Sequence, residues 1–249
     1  MTTNWWESYF AEWLPIQTHF RSNKDVLYEL LFVHKIATRY ACRAILDVPS
    51  GNGQLALNLS KKGYEVCAID YNANIIDHLR QQHADKTNIR FGQGDMRQLP
   101  FDNAFDMATC TFRSFGYFDD VDNERFLASV HRSLRNEGIF LLETHVLETI
   151  LPIWTEREYW QANDHLLLEQ RTWDIKHSRM NGLWTFVAPN GARTQHSSSV
   201  RIYGLAELLA IANKIGFSIL KLYGSYGGEP FQIGSEHALL LLRKQRSKK

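Results

Sequence analysis

Cysteine is scarce in this 249-residue chain, and the three that occur, Cys42, Cys67 and Cys110, are widely spaced and odd in number. That excludes a disulfide framework or a paired-cysteine metal knuckle, and with it the oxidising compartments where such frameworks form. No window approaches eighteen uninterrupted apolar residues, and the start, MTTNWWESYF, has no basic stretch leading into an apolar one. Neither a membrane span nor a secretory leader is therefore expected, and a cytoplasmic protein is. Neither sign of charge dominates: 28 Lys and Arg face 27 Asp and Glu, a net charge of +1. Nucleic acid and anionic membranes are thus disfavoured as partners. The basic end RKQRSKK is the one asymmetry, and a solvated terminus accounts for it. Internal repeats and low-complexity tracts are also missing.

What the chain does have is an α/β rhythm and 44% hydrophobic residues, enough for one substantial core. From residue 44 to 146, short apolar runs (AILDV, EVCAID, IRFGQGD, FDMATCTF, GIFLLETHV) alternate with helical segments at about Gly53–Lys62, Asn72–His83 and Val121–Leu134. Runs that are apolar nearly throughout are those of strands buried on both faces, which predicts a parallel sheet between helical layers. Gly63 and Gly138 stand where helix ends need a left-handed residue. Between about Thr155 and Tyr203 the rhythm breaks. Two Asn-Gly pairs, Asn181-Gly182 and Asn190-Gly191, predict the turns of a three-stranded antiparallel meander. A helix over Leu205–Ile215 and two last strands, SILKLYGSY and HALLLLRK, follow. The first forty residues carry Trp5, Trp6, Tyr9, Phe10, Trp13 and Phe20 at helical spacing, and are expected to pack on the domain or cap its mouth.

The motif LDVPSGNGQLA contains the glycine pair of a nucleotide-binding loop, and GNGQLA fits the dinucleotide fingerprint. NAD fails on context, because a meander and one helix stand where a second mononucleotide half would be needed. In an open parallel sheet the residues just after each strand meet at one site. Gly51 and Gly53 open the first loop to a ligand at a helix N-terminus. Asp70 can accept two ribose hydroxyls, and Tyr71 can cover a purine. Asp95 can accept an adenine amino group beside Met96, and Thr111, Phe112 and Arg113 follow the fourth strand.

This ordered set resembles the class I S-adenosylmethionine-dependent methyltransferases. Asp47-Val48-Pro49-Ser50-Gly51-Asn52-Gly53 matches the family's first motif with Pro49 in place of its first glycine. Asp70 matches the ribose-binding acid, Gly94-Asp95-Met96 with Leu99-Pro100-Phe101 matches the adenine segment, and HRSLRNEGIFLLETH matches the helix and fifth strand that follow. WWESYFAEW, TFRSFGYFDD and GSYGGEPF are similar to a bacterial subgroup acting on small molecules or peptides. The resemblance implies a Rossmann-like, seven-stranded, mostly parallel sheet with an antiparallel last strand, an N-terminal helical cap (1–40), a cofactor core (41–146), a β-rich lid or dimer insertion (147–203) and a closing segment (204–249). It further implies S-adenosylmethionine held by Asp47, Pro49, Gly51, Gly53, Asp70, Tyr71, Asp95, Met96 and Thr111, with no metal.

His145, directly after the fifth strand, is the first candidate for a base or an acceptor-orienting group. Arg113 and Tyr117 are candidates for acceptor contact, with Glu143 or Asp119 as alternative partners of Arg113. Trp173 and His196 of the meander and Tyr226, Glu229 and Gln232 of the last loop are candidates for the pocket wall. The expected reaction is methyl transfer to nitrogen or oxygen of a small-molecule acceptor by a monomer or homodimer. A peptide, protein or RNA methyltransferase and a non-catalytic binding protein remain as alternatives.

Overall fold

The computed structural model describes residues 4–7, 9, 10, 22–162 and 164–246. Trp13, Phe20 and the last three residues of the basic tail lie outside the described residues. Helix α1 (Asn23–Arg39) starts at Ser22, whose hydroxyl accepts the Asp25 N–H. It is followed by β1 (Ala44–Asp47), α2 (Gln54–Lys61), β2 (Glu65–Asp70), α3 (Ala73–Gln82), β3 (Ile89–Gln93), β4 (Phe105–Cys110), α4 (Asp120–Ser133) and β5 (Leu134–Thr144). After a short helix α5 (Leu147–Ile150) come β6 (Arg157–Ala162), β7 (His165–Asp174), β8 (Arg179–Val187) and β9 (Arg193–Arg201). Helix α6 (Leu205–Ile215), β10 (Phe217–Tyr223) and β11 (Ala238–Lys244) close the chain.

The main sheet has seven strands in the order β10-β11-β5-β4-β1-β2-β3, with only β11 antiparallel to its neighbours. Successive strand residues enter opposite layers, as a period of two requires. Ile45, Ile139 and Leu141 pack with Phe32 and Ile36 of α1, Leu55 of α2 and Ile76 of α3. Leu46, Phe140 and Leu142 pack with Phe126 and Val130 of α4 and Leu208 of α6. Burial on both faces is why these strands read as continuous apolar runs. Helix caps fix where the loops leave the sheet: Asn72 accepts the Ile75 N–H and Asp119 the Asp122 N–H.

Two turn expectations need correction. The meander has four strands, β6-β7-β8-β9, not three. Asn181-Gly182 lies inside β8, and the β7–β8 hairpin turns over residues 175–178 with Ser178 at φ 48. Sequence alone favours Asn-Gly as a turn, but the cross-strand register, which pairs Asp174 with Arg179, puts the turn earlier. Asn190-Gly191 does form its turn, with Gly191 at φ 83. Likewise the left-handed residue before Gly138 is Glu137 (φ 63), and Gly138 itself is kept small by the Arg135 carbonyl, 2.8 Å from where its Cβ would be. The meander is tied to the main body where Arg201 N–H donates to Gly116 O (2.7 Å) and the Arg179 guanidinium to Phe118 O (3.0 Å).

Candidate functional site

The carboxyl ends of β1, β2, β4 and β5 open into a cavity of about 1000 Å³ whose other wall is the meander. Crevices of this kind form where the strand order reverses, here between β1 and β4. Asp47, Pro49, Gly51, Asp70, Tyr71, Asp95, Met96, Thr111, Arg113, Tyr117 and His145 all line it. Gly53 does not. At φ 70 it caps α2, and a Cβ there would come 2.9 Å from Leu79 and 3.2 Å from Phe91, so its smallness serves close packing of α2 on its neighbours.

Each acid is held by its own loop. Thr109 Oγ1 donates to Asp47 Oδ1 (2.9 Å) beneath the β1 loop, in which the Val48–Pro49 peptide is cis. Asp70 accepts Gly51 N–H at 2.8 Å and Asn72 N–H at 3.0 Å, which joins the ends of β1 and β2. Burial pushes its carboxyl above the usual range, with those N–H groups pulling the other way. Asp95 accepts Arg97 N–H (2.9 Å) and pairs with the Arg97 guanidinium, which also reaches Asp122 at 2.5 Å and lies over the Phe118 ring. Burial opposes the charged form of Asp95, but Arg97 prevails and holds its carboxyl below the usual value.

At the end of β5 sits Glu143, 1% exposed. It accepts the Phe112 N–H (2.5 Å) and Tyr226 O–H (2.7 Å), has His237 Nδ1 at 2.7 Å, and faces Arg113 Nε at 3.9 Å. Burial would raise its pKa, but His237, Arg113 and Tyr226 together bring it down to about 2. These bonds hold Phe112 and Arg113, two consecutive non-glycine residues at φ 57, in the left-handed region. Of the alternatives for Arg113, the structure selects Glu143.

His145 next to it has no hydrogen-bond partner for its ring among the described residues. Burial, then the positive charge of Arg113, holds its pKa well below the usual histidine value, so the imidazole is neutral. Trp5, Trp6, Tyr9 and Phe10 form an aromatic wall beside it: Trp5 packs edge-on to Tyr117 (5.4 Å) and Trp6 to Tyr71 (4.9 Å). Among the described residues, nine carboxylates line the cavity against one guanidinium, Arg113.

Of the wall candidates, Tyr226 lines the cavity, whereas Trp173, His196, Glu229 and Gln232 do not. Trp173 packs on Trp154, His196 on Tyr9, and Glu229 bonds Ser225. Sequence reasoning passed over Arg97, His237 and Glu169, and took Glu143 only as a partner for Arg113. The usable signal was a carboxylate inside an apolar run, in GIFLLETH and HLLLEQR.

Residues 45–138 match the family profile described as a methyltransferase domain. The chain is 25% identical, over 82% of its length and 84% of the relative's, to the cypemycin N-terminal methyltransferase of a Streptomyces species. Among solved structures, an S-adenosylmethionine-dependent methyltransferase from Clostridium acetobutylicum superposes with a TM-score of 0.79 over 97% of this chain and 99% of that one, at 15% identity. The sugar N-methyltransferase KedS8 from a Streptoalloteichus species gives 0.69 over 90% and 89%, also at 15% identity.

Residues 45–138 form a methyltransferase domain, and the chain has the fold of S-adenosylmethionine-dependent methyltransferases. The residues of this methyltransferase fit that cofactor. Ser50 Oγ is buried in the β1 loop with no hydrogen-bond partner among the described residues, a polar atom that a ligand's amino-acid end would satisfy. Asp70 is 19 residues beyond Gly51, its carboxylate anchored by the loop glycine and facing the same cavity. The cavity also exceeds what one adenosine-sized ligand needs, which leaves room for an acceptor. Among the described residues, no helix of the methyltransferase is long and apolar enough to cross a membrane.

Proposed function

We propose that this methyltransferase methylates the nitrogen of an amine-bearing small molecule. The observation that carries this reading is the character of the cavity wall: rich in carboxylates, yet without a strong base. Glu143 is saturated with donors and held near a pKa of 2, and His145 is neutral and weakly basic. A hydroxyl acceptor asks for a base, whereas an amine attacks with its own lone pair. Bound in the cavity, S-adenosylmethionine supplies a methyl group already activated on a positive sulfur. The protein's task is then in-line positioning.

In this reading Asp70 takes the ribose hydroxyls, Asp47, Pro49, Ser50, Gly51 and Thr111 surround the amino-acid end, and Tyr71, Asp95 and Met96 surround the adenine. Gly53 supports the loop from behind. His145, Arg113 and Tyr117 orient the acceptor, His145 through its unpaired ring nitrogens. Among the described residues, those of 1–40 cap the mouth, those of 41–146 hold the cofactor, those of 147–203 form the lid and those of 204–249 close the sheet, all within one domain. The acid-rich wall speaks against a polyanionic acceptor such as RNA.

The similarity to the cypemycin enzyme supports a second reading with the same chemistry, in which the amine is a peptide's N-terminus. The test is adenosylhomocysteine release from a panel of small amines, phenols, carboxylates and short peptides. Turnover of small amines above all others is expected; turnover of phenols with none for amines overturns the reading, and peptide turnover alone selects the second.

A further inference from the structure

Resting on the amine reading, we propose that the acceptor carries its amine on an apolar ring, and that the inner face of the meander is a hydrophobic wall that selects against polyhydroxylated bodies such as sugars. Strand alternation turns Trp160 of β6, Leu167 of β7, Met180 and Trp184 of β8 and Val200 of β9 toward the cavity. Register sets Trp160 beside Leu167 and Met180 beside Val200, so neighbouring strands present apolar side chains together. From the other side, Tyr9 is buried with Leu167 in a cluster of its own, apart from the two layers of the main core, with Trp5 and Phe10 packed against it.

Among the described residues, the non-aromatic polar side chains of this wall are Glu169 and Ser198, and both are engaged. Glu169 pairs with the Arg171 guanidinium, which itself lies over the Trp160 ring. Ser198 Oγ accepts the Trp184 indole N–H at 3.0 Å. A ligand hydroxyl pressed on this face would give up water and find these groups taken, whereas a ring carbon there leaves water at a gain.

The wall begins where the reacting nitrogen is held. After burial and Arg113, the charge of Arg171 on β7 also helps to depress the pKa of His145, which places the two within electrostatic reach. The site is therefore polar where the amine reacts and apolar where the rest of the acceptor lies. An amine on a bare ring suits both ends, and an amine on a polyol suits only the first.

The experiment compares cyclohexylamine with scyllo-inosamine, the same ring and amine with a hydroxyl on each remaining carbon. It uses adenosylhomocysteine release, together with calorimetric binding of each amine to the adenosylhomocysteine complex. Ring hydroxyls lower an amine's pKa and leave more of it unprotonated, so ionisation favours the polyol and cannot produce the expected result. The wild-type protein should favour cyclohexylamine by about tenfold or more in kcat/KM, mainly through KM, and in affinity. M180Q, nearly isosteric, puts an amide on the wall and should narrow both ratios by weakening cyclohexylamine. W184F keeps a ring but removes the indole N–H, which releases Ser198 Oγ and should narrow them by improving the polyol. Both variants should still bind adenosylhomocysteine. A wild-type protein that takes the polyol as well as the bare ring, or binds neither, overturns the proposal, as do ratios unchanged in both variants. Preferential binding of the bare ring, narrowed in the variants but without turnover of either amine, would refute the N-methylation reading and leave the apolar wall standing.

Discussion

Asp70 and Glu143 are both carboxylates at strand ends, yet their surroundings give them opposite properties. Asp70 has backbone donors only and faces the cavity, so its charge is available to a ligand. Replacing it with alanine should weaken S-adenosylmethionine binding more than tenfold in calorimetry, because charge-assisted hydrogen bonds are lost. Unchanged affinity would remove Asp70 from the site. Glu143, by contrast, is consumed by protein donors. Its folded pKa, about 2, is below its unfolded value of 4.5, so its contribution to stability is present above pH 4.5 and is lost as pH falls toward 2. E143Q should therefore flatten the loss of stability in urea titrations between pH 5 and pH 3. Parallel curves for the two proteins would assign that loss to other acids. His145 yields a kinetic prediction. With its imidazole already neutral, H145Q should leave the pH dependence of kcat/KM to the acceptor amine's own ionisation. A shifted acid limb would instead identify His145 as the base.

At the scale of elements, Gly116 shows how a loop is set by its neighbour. It sits at φ 94 in the segment after β4, where a Cβ would run into the Arg201 carbonyl of β9, and its own carbonyl accepts the Arg201 N–H at 2.7 Å. That contact fixes the meander against the segment carrying Arg113 and Tyr117. G116A should cost about 1–3 kcal/mol of stability and raise the acceptor's KM more than it weakens cofactor binding. Equal effects on both ligands would show that the meander does not shape the acceptor half. The helices and central strands were legible in the sequence because burial on two faces and caps such as Asn72 and Asp119 leave local signatures. The β7–β8 turn was not. Asn181-Gly182 carries a strong turn signal, but cross-strand pairing placed it in mid-strand, where a side chain on Gly182 would run into Ser198 Oγ and Trp184 Nε1.

For the whole molecule, the cavity joins parts of the chain that are far apart in sequence: Trp5, Trp6, Tyr9 and Phe10, the β1, β2 and β4 loops, the meander and the last loop. A ligand bridging them should stabilise all of them together. Adenosylhomocysteine at a hundred times its dissociation constant should add about 2.7 kcal/mol, a rise in Tm of roughly 5–10 °C by scanning calorimetry, and NADH should add nothing. An equal shift with NADH would overturn the cofactor assignment. The sequence by itself determined the α/β architecture, the cofactor class and the row of acids Asp47, Asp70 and Asp95, since each depends on a few adjacent residues and on periodicity. Only the tertiary structure decided what those acids and their neighbours do. Arg97 holds Asp95, Glu143 joins the β4 segment to His237, and Glu169 shares the Arg171 guanidinium with Glu158. The reason is physical: a carboxylate's charge state and free oxygens depend on what long-range packing buries against it, and sequence spacing carries no record of that.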